Sequence, residues 1–198
     1  MLQLTAIRTD IQKKGLYIGQ RQLFLDFALS NTSAKEPVNS REYAPEEVLL
    51  EIKAEVKHKP EVITLGGGEP LLQIEGLLPL LEEVPLPLYL ETNATLPERL
   101  AEIKPYVSLY ALEYLADYQK EFFESLLLVK DEDLYVRLTV DKNTAPQDID
   151  QLAKLLGAVR QDLPLVLEPV FGSKNYLSLQ ALALRHLNNV KVIPVMHI

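Results

Sequence analysis

Short apolar runs alternate with amphipathic stretches along almost all of the 198 residues, and this alternation leaves few folds open. Leu23 to Ala28, Glu61 to Leu65, Leu86 to Glu91, Tyr106 to Leu112, Leu134 to Val140, Leu163 to Leu167 and Val190 to Val195 read as strands. Between them, Pro45 to Val56, Leu71 to Glu83, Pro97 to Ile103, Tyr118 to Leu128, Ala145 to Arg160 and Leu177 to Leu187 read as helices, with Gly76 a weak point in the second. Strongly apolar strands alternating with helices imply an α/β fold: a parallel sheet covered by helices. A partial barrel and an open doubly wound sheet both fit. In either, ligands bind where strands end, so residues just after strands carry the functional signal. The length suits one domain over residues 1–198.

The residue balance excludes several functions. A net charge of −8 leaves no basic excess to neutralise phosphates, so nucleic-acid binding is not expected. No apolar run approaches the ~20 residues needed to cross a bilayer, so no membrane span is expected. The N-terminus lacks the pattern of a secretion signal. The expectation is a cytoplasmic protein. The chain contains no cysteine, which removes disulfides, thiolate catalysis and thiolate-bound metals.

The sharpest motif is Thr64-Leu65-Gly66-Gly67-Gly68-Glu69-Pro70, which places three of the eight glycines at a strand end. Glycines there let a ligand approach the backbone. Glu69 offers an acceptor for a cationic group, and Pro70 fixes the start of the next helix. For a bare glycine run, a tight turn that binds nothing is the preferred reading. The Gly67-Gly68-Glu69-Pro70 string resembles the segment with which radical S-adenosylmethionine enzymes hold the methionine amino group. Gly15-Leu16-Tyr17-Ile18-Gly19-Gln20-Arg21-Gln22-Leu23-Phe24 resembles the opening of the 7-carboxy-7-deazaguanine synthases, small radical S-adenosylmethionine enzymes. Glu91-Thr92-Asn93-Ala94-Thr95 resembles their Glu-Thr-Asn-Gly-Thr segment, and Val192 to His197 resembles their C-terminal end. The segments occur in the family's order and span almost the whole chain. The resemblance implies a radical S-adenosylmethionine-type partial (β/α) barrel, with Gly67, Gly68, Glu69, Pro70, Glu91, Thr92 and Asn93 as cofactor-binding residues.

The departures matter as much. Where that family carries Cys-x-x-x-Cys-x-x-Cys for its four-iron cluster, this chain has Ser30, Ala34 and Pro37, although Asn31 still matches. Serine is a poor replacement for a thiolate, and alanine and proline cannot ligate. The family's Asp-Ile-Lys becomes Tyr110-Ala111-Leu112, its C-terminal Gln-x-His-Lys becomes Val195 to Ile198, and Asn39 falls at or near its magnesium-binding threonine. The expectation is therefore no iron–sulfur cluster, no metal and no radical reaction.

Glu69, Glu91, Glu113 and Glu168 all fall near strand ends. They are read either as exposed loop acids or as hard ligands for a divalent cation. His58 and His186 read as surface or dipole-complementing residues at helix ends, and His197 as a surface or hydrogen-bonded structural residue, with a place facing the same mouth as the alternative. Asn93 hydrogen-bonds a ribose or base, or serves its own turn. Tyr110 and Tyr114 fill the space of the missing cluster, or only pack. Three functions stay open. The first is a binding or regulatory protein with a degenerate site for S-adenosylmethionine, bound weakly, or for a nucleoside-like ligand. The others are an enzyme with replaced, cluster-independent chemistry and a structural scaffold. A homodimer, or a subunit of a larger assembly, is expected. Glu69→Ala is expected to leave the fold intact.

Overall fold

The computed structural model describes residues 1–32, 39–170 and 175–196. Among these described residues, nine strands form one sheet in the order β3-β1-β2-β4-β5-β6-β7-β8-β9. They are β1 (Leu2–Ile11), β2 (Arg21–Phe27), β3 (Arg41–Tyr43), β4 (Ile63–Gly67), β5 (Leu88–Thr92), β6 (Val107–Glu113), β7 (Leu134–Val140), β8 (Leu165–Pro169) and β9 (Val190–Val192). From β2 to β9 every pairing is parallel, while β1 pairs antiparallel with both β2 and β3. The helices are α1 (Pro45–Glu55), α2 (Ile74–Leu81), α3 (Pro97–Ile103), α4 (Gln119–Val129), α5 (Pro146–Val159) and α6 (Tyr176–Ala183). This is the expected α/β fold.

Side chains alternate across each strand, and the alternation builds two cores. On the outer face Ile63, Leu65, Leu90, Leu112, Val136 and Leu167 meet the apolar sides of the helices. On the inner face Tyr89, Leu109, Ala111, Tyr135 and Val166 form a smaller core, with Tyr17 packed on it. Among the described residues the sheet does not close: no pairing joins β3 to β9. The loop between β1 and β2 crosses the inner face instead. Its Gly15 N–H donates to Glu168 Oε1 on β8 at 3.0 Å, and its Lys13 carbonyl accepts from Met196 N just beyond β9 at 2.7 Å.

Three local differences from the sequence reading have simple causes. Prolines trim the strands, because they lack the N–H a ladder needs. So β5 starts after Pro87, β8 after Pro164, and β9 stops before Pro194. The helix expected from Leu71 begins as a 3-10 turn, Pro70–Gln73, before α2 takes over. Gly76 does not break α2; a Cβ there would come 2.9 Å from the Met1 carbonyl oxygen. Finally, β1 and β3 were not expected. Most of β1 is only half-buried, so its residues lack the apolar density that marks the central strands. Among the described residues no helix is long and apolar enough to cross a membrane.

Candidate functional site

The glycine motif ends β4 and makes a close backbone crossing. Gly67 has φ 88°, and a Cβ there would sit 2.9 Å from Phe27 N and O. A Cβ on Gly68 would lie 2.1 Å from the Leu29 carbonyl oxygen. The crossing is held by Gly68 N–H to Phe27 O and Glu69 N–H to Leu29 O, both 2.7 Å. The glycines thus press the segment that leads to Ser30 against the end of β4.

Glu69 is fully buried, and its carboxylate points into the protein. It accepts from Asn93 N at 2.8 Å, from Leu71 N at 3.1 Å, and from Thr92 Oγ1 at 2.9 and 3.0 Å. Pro70 occupies the first position of the 3-10 turn that Glu69 caps. Burial raises the Glu69 carboxyl to about 7, against the lowering effect of the N–H groups of Asn93 and Leu71 and the Thr92 hydroxyl. This corrects the reading of Glu69 as a strand-end acid that faces the mouth with little packing. Its carboxylate ties the turn after β4 to the turn after β5.

Asn93 is also engaged. Its Nδ2 donates to Asn31 Oδ1 at 2.8 Å, and its Oδ1 accepts from Thr95 Oγ1 at 2.7 Å and Thr95 N at 3.2 Å. Asn31 Nδ2 in turn donates to Thr95 Oγ1 at 2.7 Å. Ser30 Oγ accepts from Thr32 N at 3.3 Å. Ala34, Pro37 and His197 lie outside the described residues.

Deeper in the mouth lies an ionic network that the sequence reading missed. Arg137, on the inner face of β7, donates from Nε to Glu168 Oε1 at 3.1 Å and from Nη2 to Glu168 Oε2 at 3.0 Å. Its Nη1 lies 3.7 Å from Glu91 Oε2. Lys14 Nζ reaches the same Glu91 oxygen at 2.8 Å, and Gln12 Nε2 donates to Glu91 Oε1 at 2.9 Å. Burial alone would raise the Glu91 carboxyl, but Lys14 and Arg137 outweigh it and hold it below the usual range. Burial would lower the Arg137 pKa, and Glu91 and Glu168 reverse that too. The available signal was a lone arginine within the apolar run Leu134 to Val140, at an inward position.

Four acids gathered for a cation is therefore not what the structure contains. Glu168 lies inside β8 rather than after it, and Glu91 and Glu168 are committed to Arg137 and Lys14. Among the described residues no group of acids and histidines is arranged to hold a metal ion. Nor does Tyr110 fill the mouth. It faces the outer core and donates its hydroxyl to the Lys104 carbonyl at 3.1 Å, while Tyr114 packs edge-on to Phe122. The inner space is filled instead by Tyr17, Tyr89 and Tyr135. His186 pairs with Asp150 at 3.0 Å, well away from the mouth residues in the fold.

What remains open is a cavity of about 100 Å³. Gly67, Gly68, Glu91, Thr92 and Asn93 line it, with Ser30, Thr32, Lys14, Glu113 and Arg137; Glu69 and Pro70 do not. A second cavity of about 180 Å³ shares Lys14, Gly67 and Glu91 with it and extends toward Phe24 and Asp26.

No family profile matches the chain. Individual relatives do. A 7-carboxy-7-deazaguanine synthase of Geobacter sulfurreducens is 27% identical over 98% of this chain and 95% of its own length. One of Archaeoglobus fulgidus is 30% identical over 98% of this chain and 96% of its own. The chain belongs to the 7-carboxy-7-deazaguanine synthase family. Membership relates it to radical S-adenosylmethionine enzymes of this type. The fold agrees: the crystal structure of QueE from Escherichia coli superposes with a TM-score of 0.67, at 15% identity, over 99% of this chain and 94% of that one. The thiolate donors of a four-iron cluster have no counterpart in this member. It has no cysteine, and Ser30 Oγ is turned to Thr32, so the residues present do not fit that group.

Proposed function

We propose that this family member holds no iron–sulfur cluster and acts by binding a small nucleoside-like or deazapurine ligand at the strand C-termini, without radical chemistry. The observation that carries the reading is the cavity itself. It is polar, lies where ligands bind in such folds, and is lined by five of the seven residues the family resemblance points to. The absence of cysteine supports the loss of the cluster.

The cavity's size bears on which ligand fits. Pockets for drug-sized ligands run from roughly 300 to 1,000 Å³. A cavity of about 100 Å³ takes one or two rings more readily than a whole adenosyl cofactor. With no iron chelate, S-adenosylmethionine keeps a few hydrogen bonds, which corresponds to affinity in roughly the tens-of-micromolar to millimolar range. Titration calorimetry with S-adenosylmethionine and with deazaguanines tests the proposal. Heat from either supports it, and no heat from any of them at millimolar concentration removes it.

One observation favours the scaffold as a second reading. Glu69 and Asn93, two residues expected to hold a ligand, are satisfied by protein partners. Under that reading the motif persists because the β4 and β5 turns need it. The proposal extends to a homodimer, as expected from the family resemblance; a monomer mass by light scattering at micromolar concentration would remove that part.

A further inference from the structure

We propose that the edge strand β9 and the face of α6 beside it join two copies of this chain about a twofold axis at Val192, so that their sheets become one. The inference rests on the homodimer expected above, gives it a surface and a register, and is independent of the ligand-binding reading.

The backbone of the edge carries the first argument. Among the described residues β9 is bonded on one side only, to β8. Leu165 N–H donates to the Asn189 carbonyl and Ile193 N–H to the Leu167 carbonyl. Residues 189, 191 and 193 therefore turn their backbone groups to β8, and residues 190, 192 and 194 turn theirs outward. Of the outward groups, the Val190 carbonyl accepts from Gln180 Nε2 at 2.8 Å. The Val190 N–H, both groups of Val192 and the Pro194 carbonyl have no hydrogen bond among the described residues. Antiparallel pairing of β9 with its own copy, Val192 opposite Val192, uses that set completely. Each Val192 N–H donates to the Val192 carbonyl of the other copy, and each Val190 N–H to the Pro194 carbonyl opposite. Pro194 has no N–H to return, and the Val190 carbonyl it would have reached is the one Gln180 already satisfies. The neighbouring registers fail. Val192 opposite Val190 sets an N–H against that occupied carbonyl, and Val192 opposite Pro194 leaves the Val192 carbonyl without a donor.

The helix beside the edge carries the second. α6 packs on β8 and β9. Leu177, Gln180, Ala181 and Leu184 are spaced to share one face, and the reach of Gln180 to Val190 shows that this face overlooks the edge. Leu177 is 68% exposed and Leu184 48%. A groove of about 520 Å³ beneath them is lined by Leu177, Gln180, Val192, Pro194, Pro169 and Val170. A twofold axis at Val192 lays α6 antiparallel to its copy, apolar face to apolar face. The charge on β9, Lys191, alternates to the inner side with Ile193, away from that contact. Because the contact is isologous, it closes at two copies.

Sedimentation velocity and light scattering on the full chain test the proposal. Wild type should be a dimer. Leu177→Glu sets two acids face to face and should raise the dimer Kd about a hundredfold. Val192→Pro removes an N–H that the chain's own sheet does not use and should act the same way. Leu50→Glu, equally exposed on α1, should leave the dimer unchanged. Circular dichroism should show all three folded; should the proline disturb the fold, Leu177→Glu and a cross-link still decide. The chain has no cysteine, so Val192→Cys adds a single thiol. Its Cα would face its copy at about 5.5 Å, within disulfide range, and mild oxidation should link the two copies. Lys191→Cys, a diagonal neighbour of its copy at roughly 7–8 Å, should not link. A monomeric wild type overturns the homodimer and this surface together. A dimer that withstands Leu177→Glu, that loses no affinity in a folded Val192→Pro, or that links through Lys191→Cys more readily than through Val192→Cys overturns this inference alone.

Discussion

The carboxylate of Glu69 accepts the backbone N–H of Asn93 at 2.8 Å, and through that bond the turn after β4 holds the turn after β5. A residue expected to face a ligand instead fixes the geometry of the mouth that would receive one.

Truncating it should be costly. Glu69→Ala leaves the N–H groups of Asn93 and Leu71 and the Thr92 hydroxyl without their acceptor in a dry site, at about 2–4 kcal/mol of unfolding free energy. Urea denaturation checks this, and an unchanged midpoint would return Glu69 to the status of a replaceable surface acid.

The same residue makes stability depend on pH. Its carboxyl rises from 4.5 to about 7 in the folded state, so between those values the folded chain binds the proton that the unfolded chain has released. Stability from this group is therefore full at low pH and falls as pH rises through about 7. Glu69→Gln cannot titrate. The stability of wild type relative to that variant should decline between roughly pH 5 and 8, by an amount on the order of 3 kcal/mol. A flat difference across that window would contradict the assignment.

Gly68→Ala should destabilise by about 3 kcal/mol or more, because the new Cβ would fall 2.1 Å from the Leu29 carbonyl oxygen and backbone must move. Gly19→Ala is the control: its φ of 89° costs strain, but no heavy atom lies within 4 Å of the added Cβ. Thermal melts of both variants should separate crowding from strain.

Arg137→Met strands Glu168 and Glu91 on the inner face and should cost about 3–5 kcal/mol. Adding Glu168→Leu should recover part of that, since an apolar pair replaces a buried ionic one. A double-mutant cycle by urea denaturation reads the coupling. Additive losses would mean the two side chains act independently despite their contact.

Anaerobic reconstitution with iron and sulfide should yield no stable cluster, because no thiolate exists anywhere in the chain. Metal analysis and visible charge-transfer absorption check this. Stoichiometric iron and sulfide on purified protein would overturn the cluster-less reading.

The sequence by itself pointed to the parallel sheet, because strands buried on both faces are largely apolar, as Ile63 to Leu65 and Leu134 to Val136 are. It also located the mouth, since Gly67-Gly68 spans the end of β4 and Asn93 directly follows β5, and local composition records such turns. The strand β1 escaped it because a half-buried chain at the sheet margin needs no apolar run. Only the tertiary structure decided what the acids do. Glu168 takes its partners from Arg137 and from Gly15, which is 153 residues away, and Glu91 takes its own from Lys14 and Gln12. A carboxylate's fate depends on which cation the curl of the sheet brings within about 4 Å, and side-chain charge at that range is set by folding rather than by neighbours in sequence. For the same reason Glu69 reads as a ligand-facing acid in the linear motif and proves to be a buried tie. Its direction is chosen by the N–H groups of Asn93 and Leu71, which meet only when β4 and β5 lie side by side.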